Sequence, residues 1–429
     1  MSETTTASSQ APAGQSRMRV ERLQATNQLG KIIKGYLVRT SLASKLPWKK
    51  TAWITAGFPA ELCYMFGITP VHPENAACIS GAGKVSQKLI EYAESIGFSR
   101  DLCSYFKTNI GAVGKKVGAA QGGINKPTFL ASTNTICDTH VKWFEIQARE
   151  FGVPYFQFDT PNAVSSTDDE HMEEYIDYVV DQVHEFIDFA TKLTGKKLTE
   201  SKYNEILTKS ARLSDLWQEI YEYRKLIPTP VSFQDTMAAI FPLVILPGLD
   251  VGIKFYEALL NDIKARVANN TGAVTKEEEK YRVLFEGIPM WYKIRFFHEL
   301  ANYGAIITYE PYTFSFGPKK KTGLPMEQMI RELARMIIDT PYNYSVEKRI
   351  KYFENVIDEF KIDGVILHSN MSCRPSCTGM IDLKNAIQND KGIPVWLMDC
   401  DMDDPRAYSD EPMKNRMESF VELMAANKK

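Results

Sequence analysis

The chain has 429 residues, 44% of them hydrophobic and 24% charged, with a formal net charge of −2. That length is too great for one ordinary core, and the composition is that of a soluble globular protein of two or three domains. No basic patch marks a nucleic-acid partner, and no apolar run is long enough to cross a bilayer.

The opening MSETTTASSQAPAGQSRMR is polar and lacks an apolar stretch. It reads as a disordered tail over 1–17 and not as a secretory signal, which points to the cytoplasm. An N-terminal helical segment over 18–50 leads into the basic turn KLPWKK. Strands and helices then alternate. TAWIT (51–55) is a buried strand, followed by a helix from Pro59 to Phe66, a strand ITPVH (68–72) and two helical stretches, the second around Asp101–Lys116. PTFLAS (127–132) is a third strand, Asp138–Phe151 an amphipathic helix and VPYFQFD (153–159) a fourth strand. Residues 170–225 are helical by pattern. So is much of 232–280, with Pro228, Pro230, Pro242 and Pro247 as breaks. Alternation resumes with strands YRVLFEG (281–287), AIITYE (305–310), DGVILHS (363–369) and IPVWLMD (393–399), and a helix from about Ser409 to Met424 closes the chain.

This order predicts an α/β protein with two flavodoxin-like or Rossmann-like parallel-sheet domains plus helical segments. The first α/β domain with its trailing helices covers 51–225, a helical connector 226–280 and the second α/β domain 281–429. The halves look like distant copies. LASTNTIC (130–137) and LHSNMSC (367–373) each place a cysteine just past a third strand, where ligands sit in open α/β sheets.

Seven cysteines in a reducing compartment are thiols or metal ligands. The absence of any CxxC pair removes zinc ribbons and the thioredoxin motif. Cys137 lies at a loop-to-helix junction, where free amides favour a thiolate or an anionic cluster. Cys373 lies in the polar loop HSNMSCRPSCTGM (368–380). A lone cysteine is ordinarily a small core hydrophobe; two at equivalent places argue for more. Cys103 sits in SRDLCSYFK, a helical context. Cys63 reads as core, Cys78 and Cys400 stay open, and Cys377 is near enough to Cys373 to compete as a ligand. Soft thiolates select iron–sulfur clusters or zinc, and widely spaced single cysteines would hold a cluster between domains.

The segments VHPENAACISG, DLCSYFK, NTICDTHVKWFE, YRVLFEGIP, HSNMSCRP and DMDDPR occur in order from Trp53 onward. Together they resemble the 2-hydroxyacyl-CoA dehydratase and benzoyl-CoA reductase family. The resemblance implies two related subunits, each with two α/β domains and one [4Fe-4S] cluster on three cysteines, here Cys103, Cys137 and Cys373. It leaves a fourth iron position to solvent, substrate or a non-cysteine ligand, which makes Cys377 an extra. It implies an acyl-CoA substrate and a separate iron–sulfur activator that hydrolyses ATP. It makes Glu74 the carboxylate facing the substrate, able to carry protons if burial raises its pKa. The plain alternative for Glu74 is a helix cap.

GAGK (81–84) lacks the first glycine and the final Ser/Thr of a Walker motif, so no nucleotide hydrolysis is expected on this chain. Asp399, Asp401, Asp403 and Asp404 read as strand-end and cap residues. The aromatic second half, with Trp291, Phe296, Phe297, Tyr309, Tyr312 and Phe314, suggests a partner interface. Where the dehydratases have a serine, this chain has Ala56, preceded by Thr55. That favours reduction of benzoyl-CoA or a related aromatic acyl-CoA. The alternatives are dehydration of a 2-hydroxyacyl-CoA and a cluster-carrying scaffold with no substrate site.

Overall fold

The computed structural model describes residues 20–162, 164 and 170–428; the tail expected over 1–17 lies outside them. All eight expected strands form. They are β1 Thr51–Ile54, β2 Thr69–Val71, β3 Phe129–Thr133, β4 Tyr155–Phe158, β5 Tyr281–Glu286, β6 Ala305–Tyr309, β7 Gly364–Asn370 and β8 Val395–Cys400. They make two all-parallel four-stranded sheets, in the orders β2-β1-β3-β4 and β6-β5-β7-β8. The reason is legible in the strands. β1 and β3 are buried along their whole length, as strands covered by helices on both faces must be.

The two sheets share one topology, so the halves are structural repeats. Ile54 pairs with Ala131 in the first and Glu286 with Leu367 in the second. Cys137 and Cys373 lie equally far beyond Ala131 and Leu367. By the same register Ala56 corresponds to Ile288. After β2 and β6, His72-Pro73-Glu74 corresponds to Glu310-Pro311-Tyr312, and each proline opens a helix.

The helices knit the halves together. The 24-residue helix Glu200–Tyr223 packs Tyr203, Ile206 and Leu207 into the core of the first sheet. Its later turns pack Leu213, Leu216, Trp217 and Ile220 into the core of the second. Met326–Ile338, which lies between β6 and β7 in the chain, packs Met329, Ile330 and Leu333 on the first sheet's side.

Three local readings are corrected. Three helices, Pro73–Ala82, Ser86–Ser95 and Ser104–Gly114, stand where two were expected. Lys84, at φ 57°, turns the chain between the first two. Cys103 is the N-cap of Ser104–Gly114 and not an interior helical residue. Pro242 lies inside the helix Phe233–Ile245, close to its C-terminal end. A capping box between Ser232 and Asp235 starts that helix and burial of its apolar side chains holds it, offsetting the one backbone bond proline removes.

The aromatic residues of the second half are core or cavity wall, not an exposed patch. Phe296, Phe297 and Tyr309 are buried, and Trp291 and Tyr312 line the cavity described next. Among the described residues, no helix is long and apolar enough to cross a membrane.

Candidate functional site

The carboxyl ends of strands from both sheets meet at one cavity of about 240 Å³. Ala56 and Ile288 reach it from beyond β1 and β5, Glu74 and Tyr312 from beyond β2 and β6, and Cys137 and Cys373 from beyond β3 and β7. Within each sheet this is the point where strand order reverses, the ordinary place for a ligand. Cys103 joins them from the first half. The three cysteines singled out in the sequence therefore converge with Glu74. Two further spaces, of about 270 and 520 Å³, adjoin the cavity. Ile136 and Tyr342 line all three.

Each of the three cysteines is the N-cap of a helix: Ser104–Gly114, Asp138–Phe151 and the 3-10 turn Arg374–Ser376. None makes a full side-chain cap bond, but the first-turn amides bear on the sulfurs electrostatically. The amide of Phe106 acts on Cys103, those of Thr139 and His140 on Cys137, and that of Ser376 on Cys373. All of them pull the thiol pKa down. Burial wins, however. It raises Cys137, lifts Cys103 well above its ordinary range and pushes Cys373 up to about 12. The thiols also raise one another, Cys103 feeling both Cys373 and Cys137. Sulfurs in this setting hold protons until a cationic group replaces them.

Among the described residues, no His, Cys, Asp or Glu side chains are gathered tightly enough to hold a single metal ion. A lone zinc needs its sulfurs drawn to about 2.3 Å from one point. Three soft thiols spread around a cavity, each at a helix N-terminus, suit a wider anionic iron–sulfur group.

Glu74 is 7% exposed. Its Oε1 accepts from the Ala56 amide at 2.8 Å and faces His140 Nε2 at 3.1 Å. Its Oε2 is buried without a partner. It stands in the first turn of Pro73–Ala82 but bonds to the end of β1 and to a second helix, so it is more than a cap. Burial pushes its pKa up, but the bonds from His140 and Ala56 outweigh it and the net shift is downward. The expected upward shift is thus reversed.

His140, three positions past Cys137 on the same helical turn, was not singled out in the sequence. That spacing was the available signal. Its Nδ1 is buried without a partner. Ser372 and Asp401 were also missed as a link between the halves. Ser372 Oγ accepts from the Ser104 amide at 3.0 Å and donates to Asp401 Oδ2. Asp401 Oδ1 takes the amides of Asp403 and Asp404, both at 2.9 Å. Asp401 and Asp404, which caps Arg406, fit the reading of the acidic run as strand-end and cap chemistry; Asp403 does not, since its buried carboxylate accepts from Thr108 of the first half at 2.6 Å.

The other cysteines separate cleanly. Cys63 is core. Cys78 lines the cavity, with its sulfur 3.0 Å from Tyr105 Oη. Cys377 donates to the Asn370 carbonyl at 2.7 Å. Cys400 is buried against Met413. Thr55 turns its hydroxyl to the Thr133 amide at 3.2 Å and lines the adjoining space, not the cysteine cavity. Gly81 of GAGK is helical and packs against Asp403 and Trp291.

The profile of the family described as 2-hydroxyglutaryl-CoA dehydratase, D-component, matches residues 55–424. The chain is 29% identical to the (R)-phenyllactyl-CoA dehydratase alpha subunit of Clostridium sporogenes, over 90% of this chain and 93% of that protein. It is 28% identical to the (R)-2-hydroxyisocaproyl-CoA dehydratase alpha subunit of Clostridioides difficile, over 89% and 91%. It is also 28% identical to a subunit of the benzoyl-CoA reductase of Thauera aromatica, over 85% and 86%.

Proposed function

The chain belongs to the 2-hydroxyglutaryl-CoA dehydratase, D-component, family, and from that premise we propose that it is the cluster-binding catalytic subunit of an acyl-CoA enzyme. Cys103, Cys137 and Cys373 would hold a [4Fe-4S] cluster. When bound, the cluster supplies single electrons of low potential to the acyl group. The observation that carries this reading is that the three thiols, drawn from both halves, line one cavity with the buried Glu74 carboxylate. The same observation counts against a scaffold without a substrate site. The adjoining spaces through Ile136 and Tyr342 suit a long thioester whose acyl end enters the cavity.

The protein's own part is to hold, orient and move protons. Glu74 Oε1 is committed to Ala56 and His140, so Oε2 is the atom open to take or give a proton. The depressed pKa keeps Glu74 ionised near neutrality, which suits it to accept a proton first and return it from its acid form. The largely apolar wall excludes water and keeps these charges effective.

The reaction favoured is reduction of an aromatic acyl-CoA to a cyclic dienoyl-CoA, which consumes two electrons and two protons per ring. Ala56 offers the cavity only an apolar side chain, and Thr55, whose hydroxyl oxygen accepts from the Thr133 amide, lines the adjoining space instead. Dehydration of a 2-hydroxyacyl-CoA, with no net electron consumed, is the second reading. It draws on Thr139 and Ser376, whose hydroxyls belong to residues of the same cavity. Either reaction calls for a related partner subunit and an ATP-hydrolysing activator. Relatives that are themselves named as single subunits of dehydratases and of a reductase support the partner.

The test is an anaerobic assay of the complex with activator, ATP and a strong reductant. Formation of a dienoyl-CoA from benzoyl-CoA supports reduction. Water loss from a 2-hydroxyacyl-CoA, without ring reduction, establishes the second reading instead.

A further inference from the structure

The charges around the cavity narrow what it accepts. Among the described residues, Glu74 is the only Asp, Glu, Lys or Arg side chain that lines it. It is anionic, and His140, the lone histidine of the lining, is already turned to it. The wall opposite the strand ends is apolar: Ile33, Met237, Ile240, Phe241, Val244 and Phe316. Among the described residues, lysines and arginines line only the adjoining spaces. Lys320 lines one adjoining space and is held by Glu61 at 2.7 Å and Ser210 at 2.5 Å. Lys142, Arg349 and Arg374 line the other.

Resting on the acyl-CoA reading, we infer that the acyl group of the substrate is apolar, an aryl or branched alkyl group, and that an acyl group with a second carboxylate is rejected. A terminal carboxylate in this cavity would lose its water, find no cation and sit in the field of Glu74. Burying a charge without a partner is among the costliest changes a binding site can impose. A phenyl or isobutyl group instead meets apolar side chains on the wall built by Phe233–Ile245. The cavity measures about 240 Å³ and would be shared with a group held on the three cysteines, so the acyl end is left the part lined by this apolar wall.

The experiment measures binding of four ligands to the full chain in its complex by calorimetry: benzoyl-CoA, 4-methylpentanoyl-CoA, glutaryl-CoA and free CoA. The first two are expected to bind about 100-fold more tightly than glutaryl-CoA. Ile240→Arg, which adds the missing cation, narrows that gap by weakening benzoyl-CoA and strengthening glutaryl-CoA. Ala238→Lys, at a half-buried place on the same helix, does the same if Ile240→Arg does not fold. Equal affinity of the wild type for glutaryl-CoA and benzoyl-CoA overturns the inference and leaves the acyl-CoA reading standing. No binding of any of the four overturns both.

Discussion

The backbone N–H of Ser104 donates to Ser372 Oγ at 3.0 Å, and this bond joins the loop of Cys103 in the first half to that of Cys373 in the second. Ser104 is the first helical residue after its capping cysteine. Its amide would otherwise be one of the helix's unsatisfied donors. Ser372 therefore caps that helix from the other half, and Asp401 holds Ser372 in place. Replacing Ser372 with alanine leaves a buried amide and a carboxylate oxygen short of partners, a loss of about 1–2 kcal/mol. The sharper expectation is faster iron loss to a chelator, restored by Ser372→Thr. Wild-type iron retention in Ser372→Ala, measured anaerobically, would refute the tie.

Serine at any of Cys103, Cys137 or Cys373 is expected to abolish or sharply lower iron and sulfide content after anaerobic reconstitution. Cys377→Ser should keep both, because its thiol is engaged with the Asn370 carbonyl. Iron analysis of the four variants decides between the assigned ligands and the extra cysteine.

Glu74→Gln keeps the size of the side chain and removes its charge. Glutamine still accepts from Ala56 but no longer offers a carboxylate to the cavity or to His140. Turnover should fall by about 10²- to 10⁴-fold, the usual worth of a positioned proton carrier, with iron content unchanged. Turnover within a factor of two of wild type would remove Glu74 from the mechanism.

Glu94 links the halves through Arg406, at 2.7 and 2.9 Å, with Lys107 at 3.0 Å. The hydrogen bond from Arg406, with help from Lys107, pulls its pKa from 4.5 down to about 2 against the opposing effect of burial. A depressed carboxylate adds stability that is complete above its unfolded pKa and is lost as pH falls through the folded one. The stability difference between wild type and Glu94→Gln should therefore be full at pH 6 and shrink between pH 4.5 and about 2. Denaturant melts across that range check it; a difference that grows on acidification would reverse the sign.

Arg224 and Glu310 are both fully buried. Arg224 Nη2 donates to Glu310 Oε1 at 2.9 Å and to the Ile307 carbonyl at 3.0 Å, while Tyr221 and Thr236 also bond the carboxylate. Glu310→Ala strands a buried guanidinium and should cost about 3–5 kcal/mol. Replacing Arg224 with methionine and Glu310 with leucine together should cost less than Glu310→Ala alone. Urea melts of both variants distinguish a stranded charge from lost packing.

How legible this molecule was depended on whether a signal was local. Parallel strands covered on both faces are written as short apolar runs, and TAWIT or DGVILHS needs no tertiary information to be found. Cys137 and Cys373 were visible because the repeat places each after a third strand. Cys103 has no such copy, and its surroundings carry only helical pattern; the family resemblance supplied it. The His140–Glu74 pair and the Ser104–Ser372–Asp401 chain join residues brought close only by folding. Periodicity cannot report them. The direction of the Glu74 shift failed for the same reason: burial was foreseeable, but the two donors facing Oε1 come from distant parts of the chain.

Helix Glu200–Tyr223 has one further consequence. At about 1.5 Å per residue, its 24 residues form a strut roughly 36 Å long, with Tyr203 set in one core and Trp217 in the other. Hinge opening, the common way for a two-lobed enzyme to admit a ligand, would have to bend that strut or pull an aromatic ring out of its core. The strut therefore resists any change in the width of the gap between the lobes. On the proposed acyl-CoA reading, a thioester would thread in lengthwise through the side passages, and selection would fall on the breadth of its acyl end.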